Sequence, residues 1–148
     1  MELDYALKPK DERRIAKAIG KDLDVSFKKA VVVCDALRGM GLDDAITLLE
    51  GVVALEKPIP FKKYLKGVSQ VSGVGIAKYP KKVATEILKV LKNAQTNADY
   101  KGLDTEKLEV IHIQANKGPS RKRRKPKGRW KAWKTQYVSI QAILKEKK

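Results

Sequence analysis

One stretch of the sequence restricts how the rest of the chain can fold. Between Lys117 and Lys134 there are ten basic residues and no acid, and the only two tryptophans of the chain, Trp130 and Trp133, lie among them. Like charges at this density repel one another, so the stretch needs something negative around it when the protein works. The hydrophobic core must come from the other residues.

The charge of the chain is concentrated in its last quarter. The 148 residues carry a formal net charge of +16. Residues 117–148 hold thirteen Lys and Arg against one acid, a net +12, which leaves only +4 for residues 1–116. A nearly neutral body beside an intensely basic segment indicates a polyanionic partner, most simply a nucleic acid. The length and an apolar content of 43% fit one folded domain over residues 1–148, from which residues 117–136 protrude.

The remaining composition indicates a soluble, intracellular protein. Cys34 is the only cysteine, which excludes an internal disulfide and fits a reducing compartment. The charged N-terminus lacks the apolar segment of a signal peptide, and no apolar run reaches the roughly 18 residues that cross a bilayer. We therefore expect no insertion into a membrane.

Apolar spacing predicts three helices, over residues 26–41, 42–56 and 81–102. In the first helix, Ser26 can cap the start, and a glycine at 39 or 41 can end it. Little chain separates the first two helices, so we expect them to pack as a hairpin. The third helix has the longest apolar face, which consists of Val83, Ala84, Ile87, Val90, Leu91, Ala94 and Ala98.

Alternation of apolar and polar residues predicts strands over residues 108–115 and 137–144. One face of the second strand consists of Val138, Ile140, Ala142 and Leu144. If the two strands pair antiparallel, the stretch between them becomes the loop of one hairpin. Its tip then falls near residues 126–128, where Pro-x-Gly favours a turn, and each arm projects about 30 Å at roughly 3.3 Å per residue. We call residues 117–136 the basic ribbon.

Two other segments are less regular. Residues 13–25 predict a short strand or an extended arm, with Ile15, Lys17 and Ile19 on one face. Residues 57–80 hold three prolines, three glycines and five lysines but no acid. A connection this long is typical of functional or disordered segments, and its charge allows it to lie on the same polyanion as the ribbon.

The composition of the ribbon favours RNA as the polyanion. Lys and Arg neutralise phosphates, and Arg also stacks on bases. Trp130 and Trp133 can stack on unpaired bases, which favours single-stranded or structured RNA over a plain duplex. Two simpler interpretations stay open. One is a solvated tail or targeting run, against which the flanking strands argue; the other is a local aromatic cluster at the base of the ribbon.

No group of residues suggests catalysis or a cofactor. His112 is the only histidine, and a lone histidine in a strand is usually structural, while Cys34 lies on an apolar helix face. One Cys and one His are too few for a typical zinc site. The segment SGVG at residues 72–75 lacks the GK[ST] ending and the preceding strand of a phosphate loop. The acids are scattered and form no acid/base pair, so we expect no enzyme, no metal and no cofactor.

Three stretches resemble a known family in order and spacing: AKAIGKDLDVSFKKAVVVCDALRGM at residues 16–40, YPKKVATEILKVLKNAQTNAD at residues 79–99, and HIQANKGPSRKRRKPKGRWKAWKTQYVSI at residues 112–140. The chain is similar there to the universal large-subunit ribosomal proteins number twenty-two, in their archaeal and eukaryotic form. The resemblance implies an α+β fold, in which three helices pack on a small three-stranded antiparallel sheet with one long extended β-hairpin.

The resemblance also implies a location and partners. The body would lie on the outer surface of the large subunit of the cytoplasmic ribosome, near the tunnel exit. The hairpin would pass between rRNA segments, and its tip would line the exit tunnel of the nascent peptide. The implied partners are large-subunit rRNA, neighbouring large-subunit proteins and the nascent polypeptide, with no homo-oligomer. The long 57–80 connection departs from the short link of bacterial members.

Composition and resemblance together select the side chains that would meet RNA. The expected rRNA-binding residues are Lys28, Lys29, Lys117, Arg121, Lys122, Arg123, Arg124, Lys125, Lys127, Arg129, Trp130, Lys131, Trp133 and Lys134. The expected tunnel-lining tip consists of Lys125, Pro126, Lys127, Gly128 and Arg129.

Two rival functions stay open. One is a free nucleic-acid chaperone that uses the ribbon as a non-specific clamp, and the other is an enzyme acting on RNA, against which the missing acid and histidine clusters count.

Overall fold

A computed structural model describes residues 5–9, 12–127 and 131–147 of the chain. Within these residues the elements in chain order are β1 (Ile15–Leu23), α1 (Phe27–Leu37), α2 (Leu42–Val53), β2 (Ile59–Pro60), β3 (Gln70–Val71), β4 (Gly75–Lys78), α3 (Lys81–Tyr100), a 3-10 turn (Thr105–Lys107), β5 (Leu108–Arg124) and β6 (Ala132–Glu146). Over the described part of the chain, this order confirms the predicted α+β class with three helices.

The main sheet is antiparallel and has β6 in its centre, in the order β1-β6-β5. Its core-facing side chains on β6 are the four that the alternation predicts, Val138, Ile140, Ala142 and Leu144, and all four are fully buried. Helix α3 packs across β1 and β6, α1 packs on β5, and α2 packs on α3. The helices therefore share one core with the inner face of this sheet.

Helix α3 follows its predicted apolar face throughout, since all seven residues of that face are buried.

The predicted hairpin of α1 and α2 is wrong. After α1, Gly39 has a φ of 81° and donates its N–H to the Val110 carbonyl at 2.8 Å, while Val110 N–H donates to the Met40 carbonyl at 2.9 Å. These bonds tie the link between the helices to the start of β5. Helix α1 packs on β5 and α2 packs on α3 instead of on each other. Ser26 occupies the N-cap position of α1, but its side chain makes no capping hydrogen bond.

Strand β1 confirms the expected strand, but its core face is the opposite of the predicted one. Ala16 and Ala18 are buried against the helices, whereas Lys17 and Ile19 are partly exposed on the other face. The reason is the close approach of α3. A Cβ placed on Gly20 would lie 2.8 Å from Cγ2 of Val90, so only small residues fit on this side of β1.

The outer face of the main sheet is also partly covered. Ile15 and Ile143 are almost completely buried there, and Gln141 is only 7% exposed. The N-terminal segment contacts this face, because the Ala6 N–H donates to Oε1 of Gln141 at 3.3 Å. Tyr5 lies with its ring centroid 5.6 Å from Nζ of Lys17. The sheet is therefore not simply apolar on one side and solvated on the other.

Residues 57–80 form a folded unit instead of an irregular connection. They contain a second antiparallel sheet in the order β2-β4-β3. Ile59 and Phe61 are buried in the core of the body and anchor this sheet, and Ala77 is buried as well. We call residues 57–80 the 57–80 module.

The basic ribbon is the outer part of the β5–β6 hairpin. Its last pair is Arg124 with Ala132, and the Lys125 N–H donates to the Lys131 carbonyl at 3.0 Å beyond that pair. The chain therefore reverses between Lys125 and Lys131, and the predicted turn at residues 126–128 falls partly outside the described residues. Pro126 and Lys127 are described, whereas residues 128–130 lie outside the described part of the chain.

The contact between Gly20 and α3 gives a stability prediction. Gly20→Ala should lower the free energy of unfolding by about 1–3 kcal/mol, because Val90 is β-branched and cannot move aside easily. Chemical denaturation of the wild type, both single variants and the Gly20→Ala/Val90→Ala double variant forms a complete cycle. The alanine at 20 should cost less when Val90 is already shortened. Equal costs in both backgrounds would contradict the contact.

The register of the hairpin gives a second prediction, since Arg121 pairs directly with Thr135. Hydrogen-bonded pairs alternate along an antiparallel ladder, and the bond from Lys125 N–H to the Lys131 carbonyl makes Arg121–Thr135 one of them. Replacing residues 122–134 with Asn-Gly should leave the thermal stability of the body nearly unchanged, because a two-residue turn closes a hydrogen-bonded pair and the removed residues contribute no core. In the free wild-type protein, amides of residues 121–127 and 131–134 should exchange much faster than those of residues 83–91. A shortened protein that does not fold would show that the ribbon belongs to the core.

Candidate nucleic-acid interface

Cross-strand pairing sorts the side chains of the ribbon onto two faces. Directly paired residues of an antiparallel ladder share a face. Arg121 pairs with Thr135 and Arg123 with Trp133, and these pairs form the first face. The second face alternates with it and carries the pairs Lys122–Lys134 and Arg124–Ala132. The described residues of the ribbon from 119 to 127 and from 131 to 134 are exposed.

The first face carries arginines stacked on aromatic rings. The Cζ of Arg123 lies 5.2 Å from the Trp133 ring centroid, and that of Arg121 lies 5.8 Å from the Tyr137 ring centroid. Such stacking leaves the N–H groups at the edge of a guanidinium able to bond phosphate oxygens. Trp133 is 42% exposed, so part of its ring stays open to a base. Trp133 lies near the outer end of the ladder, next to its last pair, whereas Trp130 lies outside the described part of the chain.

The second face places like charges side by side. Lys122 stands directly across from Lys134, an arrangement that destabilises a strand pair. The ribbon contains no acid that could offset it. A polyanion beside this face would therefore stabilise the hairpin as well as bind it.

A bulge sets the direction in which the ribbon leaves the body. The register shifts between Lys117 and Ser120, where Pro119 has no N–H for the ladder. The Gln136 Nε2 donates to the Gly118 carbonyl at 2.6 Å and holds this irregularity in place. A Cβ on Gly118 would lie 3.0 Å from Oδ1 of Asp22, so the bulge sits tightly against β1.

The start of α1 lies close to both the base of the ribbon and the 57–80 module. The Lys117 Nζ is 5.1 Å from the Phe27 ring centroid, and the Lys28 Nζ is 5.6 Å from that of Tyr64. Because Phe27 and Lys28 are neighbours at the start of α1, this helix start joins the ribbon base to the 57–80 module. The structure thus brings Lys28 and Lys117 to one side of the molecule.

Lys29 lines a different pocket, which the sequence analysis did not predict. The pocket has a volume of about 330 Å³ and lies where α1 and α3 both begin, with Ser26, Lys81 and Lys82 among its lining residues. The Lys82 Nζ pairs with Oδ2 of Asp24 at 2.6 Å. A signal was present in the sequence, because Lys81 and Lys82 occupy a first helical turn, where the helix dipole disfavours cations.

Cysteine and histidine often act in catalysis, but the pKa values of Cys34 and His112 are shifted toward their uncharged forms. Burial raises the pKa of the Cys34 thiol to about 12, so it stays protonated within the core. Burial, followed by the charge of Arg38, lowers the pKa of His112, which favours its neutral form. Within the described ranges, no three metal-ligating side chains cluster. None of the helices described there combines the length and apolar character needed to span a membrane.

Comparisons with known proteins agree with this geometry. A family model described as ribosomal protein L22p/L17e matches residues 18–145. The chain is 46% identical over 119 residues to the large ribosomal subunit protein uL22 of Archaeoglobus fulgidus, covering 78% of this chain and 77% of that protein.

Two further relatives with the same name extend the match over nearly the whole length. The protein of Methanococcus vannielii is 44% identical over 141 residues, covering 92% of each chain. That of Methanocaldococcus jannaschii is 41% identical over 149 aligned positions, covering 97% of this chain and 95% of the relative. The chain therefore belongs to the ribosomal protein L22p/L17e family.

Proposed function

We propose that the protein is a structural constituent of the large subunit of the cytoplasmic ribosome, where it binds rRNA, aids assembly and lines the nascent-peptide exit tunnel. The observation that carries this proposal is the exposed, acid-free ribbon on a folded body, in a chain of the L22p/L17e family. The names of its relatives place those proteins in the large ribosomal subunit. The function is structural, and no catalytic step is proposed.

The ribbon would bind RNA mainly through phosphates. Its lysines and arginines neutralise the RNA backbone and release condensed counterions, which is the main source of sequence-independent affinity. The arginines on the first face can also bond phosphate oxygens in pairs, and Trp133 can stack on an unpaired base. The lysines that face each other on the second face would each lie next to a phosphate, which offsets their repulsion.

The shape of the hairpin supports a role for its tip in the tunnel wall. An arm of about ten residues at roughly 3.3 Å per residue reaches about 30 Å, so a body at the subunit surface could place its tip deep between rRNA segments. Lys125, Pro126 and Lys127 would then face the nascent polypeptide, together with Gly128 and Arg129, whose placement the structure does not describe. The body would contact neighbouring large-subunit proteins.

Salt dependence tests the phosphate contacts. If the ribbon meets on the order of eight phosphates, affinity for a large-subunit rRNA fragment should fall with log salt at a slope of roughly −6 to −7. Arg123→Ala/Arg124→Ala should flatten this slope by about 2, measured by filter binding over a salt series.

The matched control for this experiment removes the same charge from α3. Lys89 and Lys92 are exposed and pair with Glu86 at 2.8 Å and Glu50 at 3.5 Å. Lys89→Ala/Lys92→Ala should leave the slope close to that of the wild type. An unchanged slope in the arginine variant would rule out phosphate contacts at these positions.

Assembled ribosomes test the tunnel assignment. A photo-crosslinking amino acid at Lys127 should crosslink to a stalled nascent chain, whereas the same group at Lys89 on α3 should not. The protein should also sediment with large subunits through a high-salt gradient. A free nucleic-acid chaperone would wash off in salt and give no nascent-chain crosslink.

A further inference from the structure

The 57–80 module presents an exposed apolar and aromatic surface. Tyr64, Leu65, Val74 and Ile76 are 44%, 45%, 45% and 38% exposed. Ile76 lies on β4, whereas Tyr64 and Leu65 lie in the loop after β2 and Val74 in the turn before β4. This segment is anchored, because Ile59 and Phe61 belong to the hydrophobic core of the body. Exposed apolar side chains concentrated in one short, anchored segment indicate an interaction surface.

The charge of the module indicates what kind of partner this surface would take. It carries five lysines and no acid. The Lys78 Nζ donates to the Gly67 carbonyl at 2.7 Å and stabilises the loop. The Lys63 Nζ pairs with Asp35 at 3.1 Å. Lys62 and Lys66 are exposed. Aromatic rings next to unneutralised lysines suit single-stranded RNA, which offers both flat bases and phosphates.

Tyr64 is held in an unusual conformation. Its φ is 58°, a left-handed value that a bulky side chain rarely adopts. Strained residues of this kind concentrate at ligand-binding positions, where the surrounding structure over-determines them. Here the strain accompanies an aromatic ring that is nearly half exposed.

Lys28 lies over the ring of Tyr64. Its Nζ is 5.6 Å from the ring centroid, so a phosphate next to a base stacked on Tyr64 would be within reach of a positive charge. Lys62 lines a separate groove of about 490 Å³ between α1 and the module, together with Lys63 and the Asp35 carboxylate that pairs with Lys63. This volume falls in the range of about 300–1,000 Å³ that small-ligand sites occupy.

We propose that the 57–80 module is a second RNA-binding site, distinct from the ribbon, in which an unpaired base stacks on Tyr64 while Lys28 and Lys62 hold adjacent phosphates. This site rests on the proposed function, since it assumes that the protein is an RNA-binding constituent of the ribosome. Through this site the body would bind RNA independently of the ribbon.

The test compares full-length variants for binding to a large-subunit rRNA transcript. Tyr64→Ala should weaken binding roughly five-fold or more, the effect of losing one stacked base, while leaving the salt slope unchanged because the ring carries no charge. Tyr64→Phe keeps the ring and should bind like the wild type. The matched control is Tyr100→Ala, which removes a ring that is 93% exposed at the end of α3.

A second variant keeps the test decisive if Tyr64→Ala does not fold. Lys28→Ala/Lys62→Ala leaves the ring in place and should flatten the salt slope by about 2. Ultraviolet crosslinking of the wild-type complex should yield an RNA adduct on the peptide that contains Tyr64. Thermal melts of every variant establish that the body is folded.

The failure of this site can be told apart from failure of the ribbon. If Tyr64→Ala and Lys28→Ala/Lys62→Ala bind like Tyr100→Ala while Arg123→Ala/Arg124→Ala flattens the slope, the second site is overturned and the proposed function stands. If no variant alters binding, both are overturned. If RNA binding is unchanged but Tyr64→Ala subunits lose a neighbouring protein, the surface takes a protein and the inference is wrong.

Discussion

The repulsion between positive charges across the ribbon is the constraint on which the rest of this structure depends. Lys122 faces Lys134 on the same side of a two-stranded hairpin that has no acid of its own. A ribbon of two strands is marginally stable in water even without such a pair. A bound polyanion would therefore add to the stability of the ribbon, and in the proposed complex RNA phosphates would supply that charge. The body, in turn, has to fold without any help from the ribbon.

The body meets this demand by continuing the strands of the ribbon into its own core. Residues on the inner face of β6 are fully buried from Val138 to Leu144, and β6 is paired on both sides. Helix α3 lies so close to β1 that only small side chains fit between them, as Gly20 and Val90 show. The Gly118–Pro119 bulge then fixes the exit angle at the boundary of core and ribbon. The same two strands, β5 and β6, therefore form part of the buried core at one end and the exposed ribbon at the other.

Sequence periodicity predicted the parts of the fold whose apolar signal is long and strong. The seven-residue face of α3, the inner face of β6 and the antiparallel pairing of the two strands that flank the ribbon are all as expected. The core face of β1 was misassigned because Ala16, Ala18 and Gly20 are small and give a weaker apolar signal than Ile15 and Ile19. The strands of the 57–80 module are two to four residues long, too short for any period to show. The charges of the candidate site were visible in the sequence, but which side chains share a face depends on register, which composition does not contain.

The distribution of lysines on the body also departs from what helix stability alone would select. Lys28 and Lys29 occupy the first turn of α1, and Lys81 and Lys82 that of α3, and neither turn contains an acid. Cations at a helix start oppose the helix dipole, which costs about 0.3–1 kcal/mol for each charge. Both helix starts open onto the pocket that holds Lys29, and Lys28 extends from α1 toward Tyr64. The net charge of +4 on residues 1–116 therefore understates how positive this side of the body is, because lysines gather at two helix starts where the backbone is already electropositive. In the proposed complex, RNA lying along the ribbon base and the start of α1 would offset the charges of that helix start, which would couple the proposed RNA binding by the body to the stability of α1.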